Sequence, residues 1–167
     1  LSERSVFSCG MRGEPDKAVV LGFKPGAPAE RRIQLIGHDR DKGQSFEAIV
    51  AITDNSLEAF HWVEDGQAPL HGEDALALYS ALADHPDWLA ALEKRGITDT
   101  SLVHIEPWLA GVRPPEMPEG RVLRAVAFLH THPDDNHYAR PIGGLVALVD
   151  VDSGKVIVQD HGVTPIP

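Results

Sequence analysis

One stretch sustains helical spacing. Residues 73–95 read EDALALYSALADHPDWLAALEKR, with Leu76, Tyr79, Leu82, Leu89 and Leu92 recurring at intervals that share a helix face. Glu73 and Asp74 suit the electropositive start of a helix, and Lys94, Arg95 and Gly96 suit its end. Pro86 lacks an amide hydrogen and its ring meets the preceding turn, so the stretch predicts one helix to Asp84 and a second from Asp87. An apolar helix face must be buried against another layer. The rest of the chain says what that layer is.

On the N-terminal side, SVFSCGM, AVVLGF, RRIQLIG, SFEAIVAIT and LEAFHWV are β-branched or aromatic segments. They are separated by GEPDK, KPGAPAE, DRDKGQ and DNS, which are turn chemistry. On the C-terminal side, SLVHIE, RVLRAVAFLH, GLVALVDV and KVIVQD read as strands again. The expected class is α+β, an antiparallel sheet of about four strands with a helix packed on it. Slid 96 residues along itself, IVAITDNS at 49–56 falls on LVALVDVD at 145–152. Val50, Ala51, Asp54, Gly66 and Pro69 then meet Val146, Ala147, Asp150, Gly162 and Pro165. The chain is accordingly expected to hold two repeated units, residues 1–69 and 70–167. The helix of the first unit would precede Leu1, so residues 1–65 should be nearly helix-free.

Lys and Arg number 15 against 25 Asp and Glu, a formal charge of −10. Such a surface repels phosphate backbones and anionic bilayers, so neither nucleic acid nor a membrane is an expected partner. Cys9 is the sole cysteine, which rules out an intrachain disulfide and a thiolate metal cluster. No apolar run approaches the roughly 20 residues of a membrane span. The first residues lack a signal-peptide layout, so the reading is of a soluble protein whose compartment stays open.

The histidine-rich LHTHPDDNHY carries His130, His132 and His137 beside Asp134 and Asp135. A His-x-His pair on one strand face can chelate copper or zinc when further ligands converge. HPDDN is also turn chemistry, and His137 lies beyond the turn, so a polar hairpin tip without a metal is the expected reading. His38, His61, His71, His85, His104 and His161 are scattered along the chain. No glycine-rich phosphate loop or nucleophile elbow occurs. Phe23, Phe46, Phe60, Trp62, Trp88 and Phe128 are core candidates. Trp108 differs. It follows Pro107 and precedes LAGVRPPEMPEG, where an aromatic leaves a strand end for an exposed rim.

Three segments together resemble the copper amine oxidases, in the two small domains that precede the catalytic domain. They are RGITDTSLVHIEPWLAG (95–111), the long run GRVLRAVAFLHTHPDDNHYARPIGGLVALVDVDSGKVIVQDHGVTPIP (120–167), and the weaker DRDKGQSFEAIV (39–50). Gly143 departs from the acidic residue common in this family, and Leu109 from a serine. The resemblance implies an oxidase of primary amines that uses copper and a topaquinone made from its own tyrosine, and that works as a homodimer. It places that chemistry in a catalytic domain C-terminal to this region. Neither Tyr79 nor Tyr138 has the Asn-Tyr-Asp/Glu context of the cofactor tyrosine. The chain is therefore expected to be an accessory fragment, inactive alone, with its own catalytic domain as partner and no catalytic, cofactor or metal residue. By the same resemblance, Pro107, Trp108 and Tyr138 face the passage by which amines reach the quinone. The alternative is a free-standing binding module that takes a metal through His130, His132 and His137.

Overall fold

The computed structural model describes residues 1–132 and 134–166. The chain divides into two compact units, Leu1–Pro69 and Leu70–Pro167. In the first, strands β1 (Ser5–Gly13), β2 (Arg32–Asp39), β3 (Gln44–Ala51) and β4 (Ser56–Trp62) form an antiparallel sheet in sequence order. The turn between β3 and β4 is closed by Asn55 at φ 52°, a conformation asparagine tolerates better than most residues. Phe46 is fully buried at the centre of an aromatic cluster with Phe7, Phe60 and Trp62. It lies over Gly37, where an added Cβ would come 2.4 Å from the ring, so only glycine leaves room for it.

Asp39 closes β2. Burial alone would raise its pKa. The Ser2 amide and hydroxyl, both at 2.8 Å, and the Lys42 amide at 3.2 Å outweigh that and hold the carboxyl well below its ordinary value. In the second unit, Asp160 is lowered to about 2, first by the hydrogen bond from Arg95 Nη2 at 2.8 Å and then by the Gly162 amide. A carboxylate whose pKa is depressed by folding stabilises above its unfolded value and ceases to as pH falls through the folded one. Urea midpoints should therefore fall for both units between pH 4 and pH 2. Segment-resolved hydrogen exchange should show Asp39→Asn flattening that dependence in residues 1–69 alone. An unchanged pH profile in that variant would remove Asp39 from the account.

The second unit adds helices to the same sheet plan. Strands β5 (Val103–Leu109), β6 (Val122–Leu129), β7 (Pro141–Asp150) and β8 (Lys155–Asp160) are antiparallel and in order. Helices α2 (Gly72–Ala83) and α3 (Pro86–Glu93) pack on one face. Pro86 sits in the first turn of α3, so it ends one helix and opens the next. Gly144 at φ 70° makes a close approach, where a Cβ would stand 2.3 Å from the Gly162 carbonyl. Thr164 Oγ1 lies 2.3 Å from where a Gly143 Cβ would be, so any larger residue at 143 needs Thr164 to move.

The buried stripe of the helices differs from the predicted one. Leu78, Leu82, Trp88, Ala91 and Leu92 enter the core with Leu123, Ala125, Leu145 and Ala147. Leu76 and Tyr79 are exposed. The segment is apolar on several sides, and its phase is set by Asp74. That residue is fully buried at the start of α2 and bonded to Arg121 Nη2 at 2.6 Å. A second difference lies in AVVLGF, expected as a strand. Residues Lys17–Gly22 instead form a short helix, α1, with no buried residue. An apolar run without a neighbouring strand to pair with falls back on local hydrogen bonds, here from the Val19 and Val20 amides to the Asp16 carbonyl. Phe23 and Phe60, expected in the core, are exposed.

Candidate functional site

Strand alternation splits β5 between two faces. Val103, Ile105 and Leu109 pack toward the helices, and Pro107 is buried with them. His104, Glu106 and Trp108 take the other face, at the free edge of the sheet. Farther along that face Val122, Leu148 and Ile157 are covered by Ala110 and Met117. The β5 end is covered by the loop joining β6 to β7. Its base is tied by the Leu129 amide to the Arg140 carbonyl at 2.8 Å and the His130 amide to the Leu102 carbonyl at 2.8 Å. Asp135 fixes the interior by accepting from the Thr131 amide (2.9 Å) and hydroxyl (2.8 Å) and pairing with Arg140.

The loop delivers His137 and Tyr138 onto β5. Tyr138 donates to Glu106 Oε2 at 3.2 Å and packs edge-on against Phe128, with ring centroids 5.3 Å apart. The hydrogen bond to Glu106, and then the negative charge of Glu106, raise the Tyr138 pKa above its ordinary value. Burial, and then Glu106, do the same for Tyr79. Trp108 is 56 % exposed and Tyr138 57 % exposed, unusual for large aromatics in an ordered sheet and its loop.

His104, His130 and His137 converge beside them. Each offers one ligand atom, and the three atoms lie within 4.8 Å of one another. The Nδ1 atoms of His104 and His137 are 3.3 Å apart, and His104 Nε2 lies 3.1 Å from Glu106 Oε2. His130 is 8 % exposed, and its Nε2 has no hydrogen-bond partner among the described residues. Burial, and then the neighbouring His137 and His104, lower its pKa below the ordinary imidazole value.

Several sequence expectations change here. Pro107 and Trp108 both lie within β5, with Pro107 buried and Trp108 exposed one residue before its end. β6 ends at Leu129, so His130 and His132 do not share a strand face. His132 is exposed and outside the cluster. His130 and His137 do converge, against expectation, and their third member is His104. Pro133, part of the HPDDN turn sequence, is outside the described residues. His104 and Glu106 were missed, although the alternation of HIEPW already places them beside Trp108. The links of His104 to His137 and of Glu106 to Tyr138 span 33 and 32 residues, which no local pattern reveals.

A four-stranded antiparallel sheet with helices on one face and a loop-capped aromatic edge defines an α+β module. The family model of the copper amine oxidase N3 domain matches residues 73–167. The chain belongs to the copper amine oxidases. It is 30 % identical over 147 residues to a primary amine oxidase of Arthrobacter sp. (strain P1), covering 87 % of this chain and 23 % of that protein. With the histamine oxidase of Arthrobacter globiformis it shares 41 % over 105 residues, 62 % of this chain and 15 % of that one. The chain thus spans less than a quarter of the length of these relatives. The crystal structure of a copper-containing benzylamine oxidase from Hansenula polymorpha matches 97 % of this chain and 28 % of its own, with a TM-score of 0.75 at 20 % identity. That likeness speaks to the fold. No helix among the described residues is long and apolar enough to cross a membrane.

Proposed function

We propose that this chain is the accessory region of a primary amine oxidase, built from two related α+β units, and that its second unit helps wall the route of the amine. The observation that carries the reading is the pair of exposed aromatics, Trp108 and Tyr138, with the Glu106 carboxylate hydrogen-bonded to Tyr138. Aromatic faces give rigid apolar contact to a carbon skeleton, and a carboxylate between them attracts an ammonium end. Pro107 serves behind them, as a buried and rigid support for Trp108.

The copper and topaquinone of the family do not fit the tyrosines of this chain. Tyr79 lies on α2, and Tyr138 gives its hydroxyl hydrogen to Glu106. We therefore assign the redox centre to a catalytic domain beyond these residues, and homodimerisation to the whole enzyme. On this reading the chain alone does not oxidise amines. A free-standing metal-binding module is the second reading, favoured by the convergence of three histidines.

The test is Tyr138→Ala in the whole oxidase. Loss of one aromatic contact should change the ratio of kcat/KM for a bulky aryl amine over methylamine by about tenfold. Equal small changes for both amines would leave Tyr138 no role in the route.

A further inference from the structure

We propose that His104, His130 and His137 form a binding site for one divalent ion of the zinc or copper type. The ion would be held by three imidazoles, with a fourth position open to water. It would be a clamp on the β6–β7 loop, separate from the redox copper of the family, and it stands independently of the amine-route reading.

The argument begins with bond lengths. Zinc–imidazole bonds of about 2.0–2.1 Å at tetrahedral angles put neighbouring nitrogens roughly 3.3 Å apart. The Nδ1 atoms of His104 and His137 are 3.3 Å apart without any ion. The tautomers agree with this. Glu106 Oε2 accepts from His104 Nε2–H at 3.1 Å, which leaves the His104 Nδ1 lone pair facing His137. A carboxylate behind a ligating imidazole fixes its ring and raises its basicity, the usual outer partner of a zinc histidine. On binding, the single proton between the two Nδ1 atoms passes through solvent to His137 Nε2, so that both Nδ1 lone pairs face the ion.

His130 supplies the third ligand. It is hydrogen-bonded to the main chain of His137, and its buried Nε2 has no partner among the described residues. A buried, unpartnered nitrogen lone pair is unfavourable unless something fills it. Its ring centroid lies 4.8 Å from that of His137 and 5.7 Å from that of His104. The three ligand atoms, all within 4.8 Å, reach a common ion with a small movement of the side chains. The framework is already ordered. His104 is on a strand, and the loop is held by Asp135, Thr131 and Arg140.

Isothermal titration of the tag-free 167-residue chain with Zn²⁺ tests the site, with Co²⁺ as the spectroscopic probe. Expected are one ion per chain with a Kd in the micromolar range or below, and intense visible cobalt bands of a four-coordinate site. Glu106→Gln should weaken binding by roughly 10–100-fold, as loss of an outer partner does, and His137→Ala should weaken it more. His132→Ala should leave it unchanged. His137 is exposed, so its variant keeps the fold, and a far-UV spectrum of each variant checks this. Absence of saturable zinc binding would overturn the proposal. So would full binding by His137→Ala, or loss of binding in His132→Ala.

Discussion

Asp74→Ala is expected to destabilise the second unit by about 3–5 kcal/mol, the usual effect of removing one partner from a buried ion pair. Asp74 and Arg121 are both fully buried, and Oδ2 of Asp74 receives Arg121 Nη2 at 2.6 Å. The same oxygen accepts from the His71 amide at 2.8 Å, closing the first turn of α2. One carboxylate thus joins the start of a helix to the residue just before β6, 47 positions away. Alanine removes that charge and leaves the guanidinium in a dry interior. For a domain of this size the loss corresponds to a fall in Tm on the order of 15 °C or more. Segment-resolved hydrogen exchange should show β5–β8 losing protection. Pairing Asp74→Leu with Arg121→Met should recover part of the stability, because apolar replacement removes both charges together. A single variant within 1 kcal/mol of the parent would show that Arg121 finds other compensation, and the pair would lose its place as the anchor of α2.

That ion pair also explains what the sequence conceals. Strands β7 and β8 are legible because GLVALVDV and KVIVQD are runs rich in β-branched residues between turn residues. The helix break was legible because Pro86 has one chemistry wherever it stands. The buried helix face was not. Leucine or alanine occupies nearly every side of ALALYSALA, so spacing alone could favour Leu76 and Tyr79 as readily as Leu78 and Leu82. A charged residue at one end, bonded across the fold, chose between them. The same limit applies to the site. HTH suggested a ligand pair by proximity, whereas the β6–β7 loop brings His137 to His104 on β5 and leaves His132 in solvent. Trp108 was legible as an exposed aromatic, but its position inside β5 depends on pairing with Arg124.

Trp88→Ala should destabilise the second unit by about 3–5 kcal/mol, whereas Trp108→Ala should lie within about 0.5 kcal/mol of the parent. The two substitutions delete the same side chain from the same unit, so the difference isolates burial. Trp88 is 2 % exposed and packs in the core with Leu82, Leu92 and Ile97. Its helix has eight residues, too few to persist without tertiary contact. Emptying the indole site leaves a cavity and loosens α3 from β8. Trp108 stands on the opposite face of the sheet with most of its ring already in water, so its removal frees little buried area. Urea denaturation of both variants gives the two values directly. A large loss at Trp108 would mean that its ring is buried in the folded protein. It could not then serve as a surface open to an amine, whatever the result at Trp88.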